Sequence, residues 1–359
     1  MLIHKKISGL ILFSFVCSVL SSCSTSSQNN NEPVTPDSNI TNITDANASS
    51  DIASSSTVTE STEISSDYGV SSTDITTKNT YSTTTLTKSE TVLMVTTSTV
   101  ALPGETADIS LHGWVLNVGQ SSCTVLESDG ECMIVDAADS AHAEYVLSFL
   151  NENNINIVDF LILTHYDDDH IGAAAELLNH YSVSQFRGPD YKKKGRKYQE
   201  IIDTGKRRID TYAGQYFSFG KCDIDIIGPE KNLDSDDPND YSVAMIITDQ
   251  YNNRLYIGGD SPGDYSNRGE QTQKDRIDEP VDVYVVNHHG AENSSNVSFL
   301  YKLKPQFAII SCGKGNQYGH PNKLVLNRLN QYTQKIYRTD ERQEDISFSF
   351  GSNGVHFYD

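Results

Sequence analysis

The sequence predicts an α/β domain in which two sheets pack together with helices outside, held behind an N-terminal tether. Three observations predict it. Apolar runs of strand length recur between residues 112 and 311, some as hairpin pairs and others leading through a loop into a helix-like stretch. The strands that lead into loops end in His or Asp, at the strand ends where α/β proteins build their sites. The composition also breaks near residue 108: before it Ser, Thr, Asn and Asp dominate and apolar residues stand singly.

Taken in order, residues 1–23 read as a secretion signal, with Lys5-Lys6 as the basic region and residues 10–20 largely apolar. The stretch is too short and too rich in Ser to favour a transmembrane helix. It ends in Leu20-Ser21-Ser22-Cys23, which resembles a bacterial lipoprotein box. That resemblance implies lipidation of Cys23 and a chain anchored through lipid on the extracellular face of the bacterial cell membrane. An ordinary cleaved signal with an incidental Cys is the alternative. Residues 24–108 cannot bury enough apolar surface to offset the entropy of ordering, so they are expected to be a disordered spacer. Residues 109–359 remain, about 250 residues, enough for one sizeable core.

Within that domain, residues 112–118 alternate as a strand and turn at Gly119-Gln120. Strands at 123–127 and 132–136 flank Ser128-Asp129-Gly130-Glu131, a hairpin signal. Residues 141–150 read as a helix, and 158–163 as a buried strand that runs straight into Thr164-His165-Tyr166-Asp167-Asp168-Asp169-His170. Helices follow at 172–181 and, strongly basic, at 195–207. Residues 222–227 form a strand ended by Gly228-Pro229, and 243–248 with 254–257 a second hairpin. Strands at 281–286 and 307–311 lead into Asn287-His288-His289-Gly290 and into a Gly-rich loop ending at His320-Pro321; a helix at 324–331 follows.

The formal net charge of -21 disfavours broad electrostatic adhesion to nucleic acid or anionic lipid. Lys192, Lys193, Lys194, Arg196, Lys197, Lys206, Arg207 and Arg208 run against it, as a solvated helix face or as a local patch that steers an anionic substrate. Of six Cys, four fall in the domain without CxxC spacing, which argues against a zinc ribbon and leaves disulfides or buried thiols open. Two His and three Asp share the loop after residue 163. Five of the ten His lie just beyond apolar strands, a clustering of neutral imidazole and carboxylate that suits divalent metal.

His165-x-Asp167-x-Asp169-His170 resembles the His-x-His-x-Asp-His motif of the metallo-β-lactamase superfamily, with Asp167 in place of the second His. Val118-Gly119-Gln120, Ile134-Val135-Asp136-Ala137, Asn239-Asp240-Tyr241-Ser242-Val243, Gly258-Gly259-Asp260, His288-His289-Gly290 and Tyr318-Gly319-His320-Pro321 are similar, in order, to the nuclease-like domain of ComEC-type competence proteins. The resemblance implies a four-layer αββα sandwich and two divalent metal ions, zinc or manganese. It implies His165 and Asp167 on one ion, Asp169 and His170 on the other, Asp260 bridging, and His288 as the remaining ligand, a place His289 or His320 could also take. Asp169 would also orient the nucleophile, a metal-activated hydroxide, while His289 or His320 would protonate the leaving group. Lys314 and Asn316, with Asn239 and Ser242, are expected to contact substrate. Asn239 stands where many members carry a third metal-binding His.

The expected function is therefore a membrane-tethered metallohydrolase that cleaves phosphodiester bonds. A lactam, lactone or thioester hydrolase of the same fold, or a non-catalytic surface binding module, are the alternatives. A phosphodiester substrate and the membrane are the partners implied; no stable protein partner can be inferred.

Overall fold

The computed structural model describes residues 107–264 and 267–358. The expected signal peptide, Cys23 and nearly all of the expected tether lie outside the described residues. In chain order the first strands are β1 (Ile109–Val115), β2 (Thr124–Ser128), β3 (Glu131–Val135), β4 (Ile157–Ile162), β5 (Ser182–Gly188), β6 (Arg208–Asp210) and β7 (Tyr216–Phe219). They are followed by β8 (Cys222–Gly228), β9 (Ala244–Asp249), β10 (Arg254–Ile257), β11 (Val283–Val285), β12 (Phe307–Ile310), β13 (Lys335–Arg338), β14 (Ile346–Gly351) and β15 (Gly354–Tyr358). The helices are α1 (Ala143–Glu152), α2 (Asp168–Ile171), α3 (Ala174–His180), α4 (Arg196–Asp203), α5 (Glu270–Gln273), α6 (Val297–Leu303), α7 (Lys323–Leu329) and α8 (Thr339–Arg342).

The strands form two mixed sheets, ordered β15-β14-β1-β2-β3-β4-β5-β6 and β13-β12-β11-β10-β9-β8-β7. Alternation along each strand sorts apolar side chains between two faces. In β3, Met133 and Val135 join the core between the sheets, whereas Cys132 and Ile134 face the layer of α1 and α3 with Val146, Leu150, Leu177 and Leu178. In β10, Leu255 and Ile257 enter the same central core, while Tyr256 packs with Phe299, Leu300 and Leu329 of the opposite helical layer. Three apolar clusters therefore separate four layers, helix–sheet–sheet–helix, and each fully buried aliphatic or aromatic side chain in them contributes about 1.5–3 kcal/mol. The expected αββα sandwich is present.

Several expectations change at the residue level. The first strand runs from Ile109 to Val115, not 112–118, because Leu116 N donates to Cys123 O and Val118 N donates back to Leu116 O, which turns the chain. Part of the expected His/Asp loop is helical: Asp168–Ile171 makes one turn, with His170 N and Ile171 N donating to Asp167 O. The basic helix stops at Asp203, after which Gly205 at φ 68° ends it. Cys123, Cys132, Cys222 and Cys312 are all buried free thiols. Four of the eight cations of the basic run form ion pairs: Lys193 with Asp167, Arg196 and Lys197 with Glu200, and Arg208 with Asp210. Among the described residues no helix is long and apolar enough to cross a membrane.

One buried carboxylate ties the second helical layer to the β11 loop. Glu270 in α5 accepts hydrogen bonds from Asn287 Nδ2 (3.0 Å), Ser295 N (2.5 Å) and Asn296 N (2.9 Å). Burial holds this carboxyl up at about 7, although those N–H groups pull the other way. In the unfolded chain the value returns to about 4.5, so between the two values the folded state binds more protons. The stability this gives is complete below the unfolded value and is lost as pH rises through the folded one. The unfolding free energy measured by urea titration is expected to fall between about pH 5 and about pH 8, by about 3 kcal/mol in total if Glu270 acts alone. Glu270→Gln should flatten that slope, and an unchanged slope in the variant would rule Glu270 out as its source.

Candidate metal centre

The site forms where parallel strands end together. β3 pairs parallel with β4, and β10, β11 and β12 run parallel in the second sheet. Their carboxyl-terminal loops deliver, in turn, Asp136, residues 165–170, Asp260, His288-His289 and residues 311–320. Gly259 sits at φ 53°, and a Cβ there would lie 2.6 Å from Thr164 Cβ. Only glycine lets the β10 loop press against the end of β4 in this way, and the next residue, Asp260, is thereby aimed at the imidazoles.

Asp260 lies at the centre, 5% exposed. Its Oδ1 is 3.2 Å from His170 Nε2 and 3.8 Å from His289 Nε2. Its Oδ2 is 4.0 Å from His165 Nε2 and 3.6 Å from His288 Nε2. Asp169 Oδ2 lies 3.5 Å from His289 Nε2, and Asp167 Oδ1 lies 4.0 Å from His165 Nε2. Two ends therefore share one carboxylate. The ligand atoms of His165, His170 and Asp260, and likewise those of Asp169, His170 and His289, fall within 4.8 Å of one another.

A second layer sets which nitrogen of each ring carries hydrogen. His170 Nδ1 is 2.7 Å from Asp136 Oδ2, and His289 Nδ1 is 2.9 Å from the Ser311 carbonyl. Both partners are acceptors, so both rings carry hydrogen on Nδ1. Thr164 Oγ1 donates its one hydrogen to Asp136 (2.9 Å), which leaves the oxygen to accept from His165 Nδ1 at 3.2 Å. The Nε2 atoms of His165, His170 and His289 are left buried without hydrogen-bond partners. Orphaned imidazole nitrogens with anchored opposite edges, facing two acidic side chains, fit a divalent cation.

The electrostatics agree. Without an ion, burial and the charge of His170 push His165 down to about 3, so it stays neutral. His170 rises well above its ordinary value: burial opposes this, but the Asp260 and Asp136 carboxylates outweigh it. Asp260 is held well below the usual carboxylate range, against its burial, by His170, His289 and His288. Burial also opposes ionisation of Asp169, yet His289 and His170 keep it low. The extra positive charge on His170 occupies the place a metal ion would take, and ion binding must release that proton.

His288 and His289, both candidates for the remaining ligand, face different oxygens of Asp260. The structure brings His289, 4% exposed, into the group with Asp169 and His170, because the Ser311 carbonyl turns its Nε2 there. His288, 21% exposed, lies instead on the Oδ2 side of Asp260. Both residues adopt left-handed backbone with φ 53°, a double kink that sends consecutive rings to opposite ends of the site. His320 stays outside the ligand groups. Gln120 Oε1 accepts from Gly313 N (3.0 Å), which orients its amide so that Nε2 donates to His320 Nδ1 (3.2 Å) and places the His320 hydrogen on Nε2. Burial, with His288 and His289 nearby, pushes His320 down to about 4, so the ring is neutral at physiological pH.

Of the residues expected to meet substrate, Asn316 has a different task. Its Nδ2 donates to the Gly313 and His320 carbonyls and its Oδ1 accepts from Tyr318 N and His320 N, so the amide is fully occupied in shaping the His320 loop. Lys314 is exposed in the same loop. Asn239 and Ser242 flank a turn joined to the His165 loop by Val243 N donating to Thr164 O (2.8 Å), and Asn239 Oδ1 and Ser242 Oγ are buried without partners. The orienting groups Asp136, Thr164, Ser311 and Gln120 were not predicted as part of the site. Asp136 carried a signal, an acidic residue directly after an apolar strand; the Ser311 contact is through backbone and carried none.

Comparison with known proteins agrees with this architecture. The family model described as the metallo-β-lactamase superfamily matches residues 116–314. ComE operon protein 3 of Bacillus subtilis is 30% identical over 204 residues, covering 55% of this chain and 25% of its own. Recombination protein 2 of Haemophilus influenzae is 28% identical over 229 residues, covering 62% and 27%. Competence protein ComA of Neisseria gonorrhoeae is 25% identical over 247 residues, covering 67% and 32%. The chain thus spans between a quarter and a third of the length of these relatives. With a family match over more than half its residues, the chain belongs to the metallo-β-lactamase superfamily and has its metallohydrolase fold.

Proposed function

We propose that the domain is a metal-dependent hydrolase of phosphodiester bonds, nuclease- or phosphodiesterase-like. It would work on the extracellular face of the membrane, held there by lipid on Cys23. One observation carries the chemical reading: three imidazoles fixed through Nδ1 present unpartnered Nε2 atoms to Asp169 and to the two oxygens of Asp260. Similarity to a protein named for recombination, a process of nucleic acid, favours a phosphodiester over a lactam as substrate.

Zinc or manganese held there would supply Lewis acidity and an acidified water at neutral pH. The residues of the chain do the rest. Asp136 and Ser311 keep His170 and His289 in the tautomer that can ligate. Asp169, kept ionised by His289, positions the attacking water. His320, neutral and carrying its hydrogen on Nε2, donates a hydrogen bond to the leaving oxygen. Asn239 and Ser242 offer polar groups to the substrate, and Lys314 adds positive charge on the exposed loop beside His320.

The test is hydrolysis of bis-p-nitrophenyl phosphate and of single-stranded DNA by the purified protein with zinc or manganese, beside nitrocefin and a thioester. Turnover of the phosphodiesters is expected, abolished by EDTA and reduced about 1000-fold or more in Asp169→Ala. Turnover of nitrocefin or the thioester alone would overturn the assignment of substrate.

A further inference from the structure

The two ends of Asp260 are not equivalent. At the Oδ1 end, His170 and His289 are buried and anchored, and Asp169 completes the set. At the Oδ2 end stands Asp167, a third exposed, and it already has a cation: Lys193 Nζ lies 2.5 Å from Asp167 Oδ1, the same oxygen that is 4.0 Å from His165 Nε2. The lysine is not there by chance of a long side chain. Its loop is pinned two residues earlier by Tyr191, whose hydroxyl accepts from Tyr166 N at 2.8 Å and whose ring packs on Tyr166 and Tyr241 at 4.8 and 4.4 Å. Neighbouring cations turn elsewhere, Arg196 and Lys197 toward Glu200.

We propose that Lys193 is a resident cation of the centre. Its ammonium takes the place of a divalent ion at Asp167, so the chain holds one ion firmly, among Asp169, His170, His289 and Asp260. A second ion enters the His165–Asp167 end only by displacing the lysine. The physical basis is competition for one oxygen. An ammonium in charge-assisted contact with Asp167 neutralises a carboxylate whose oxygen lies 4.0 Å from His165 Nε2, and a dication must break that contact before it can ligate there. The inference rests on the metal-centre reading above and refines it from two equal positions to one strong and one guarded.

Equilibrium dialysis of the full chain against manganese(II), with bound metal counted by elemental mass spectrometry, tests it. Wild type and Lys193→Arg are expected to retain one ion per chain at low micromolar free metal. Lys193→Met is expected to retain two, its second site tightened about tenfold or more. Adding Asp167→Asn to Lys193→Met should return the count to one. Circular dichroism checks each fold, and Lys193→Gln replaces the Met variant if that chain does not fold. Two firmly held ions in wild type, or one in both neutral variants, would overturn the role of Lys193 while leaving the metal centre standing. No bound ion in any variant would overturn the centre itself.

Discussion

Asp136→Asn is expected to weaken divalent-ion binding about 10- to 100-fold while the domain stays folded. Asp136 is 1% exposed and touches His170 at Nδ1, not at the Nε2 that faces Asp260. Its effect runs through hydrogen placement. Oδ1 accepts from Thr164 N (2.7 Å) and Oδ2 from His170 Nδ1 (2.7 Å), so each oxygen faces a donor. An amide has only one acceptor. With its NH2 toward His170, the ring must accept on Nδ1 and carry its hydrogen on Nε2, the atom that faces Asp260. With its NH2 toward Thr164, two donors collide and the β4 loop shifts. Asn tolerates the left-handed backbone at this position (φ 62°), so the loss is one of tautomer and not of fold. Calorimetric titration with zinc and a thermal melt separate the two; unchanged affinity beside an unchanged melt would exclude the orienting role.

Asp260→Ala should have the larger effect, with the carboxylate shared by both ends of the centre removed and hydrolysis reduced by about 1000-fold or more. No neighbour can substitute, because Asp260 alone offers an oxygen to each pair of imidazoles. The metal-free variant should also show a pH-dependent weakness. In wild type Asp260 helps raise His170 above its ordinary 6.5, a contribution to stability that is full below that value and disappears as pH rises through the raised one. Removing Asp260 therefore destabilises the apo-protein more in acid than in alkali. Equal unfolding midpoints for the two proteins at about pH 5.5 would contradict the charge pairing described here.

How much of this could be read in advance depended on range. β4 and the two hairpins are legible because alternation and turn residues act over a few positions. The segment now seen as β5, Ser-Val-Ser-Gln-Phe-Arg-Gly, has two bulky apolar residues in seven and becomes a strand because β4 lies beside it. β14 alternates Ile346, Phe348 and Phe350, but its place beside β1 comes from pairing between the two ends of the domain. The site divides in the same way. His165, Asp167, Asp169 and His170 share a short spacing, and Asp260 follows an apolar strand and two glycines. The choice between His288 and His289 is made by two consecutive positive φ angles and a backbone carbonyl, none of which the side-chain sequence records.

Thr164 lies between His165 and Asp136, and Asp136 also holds His170. Two neighbouring rings are thus wired to a single carboxylate, His170 directly and His165 through one hydroxyl. Electron density drawn from either ring is felt by the other within three hydrogen bonds. The donor strength of the two ends is therefore a common property, and the domain should load and release its ions in steps that report on each other, not as two separate sites.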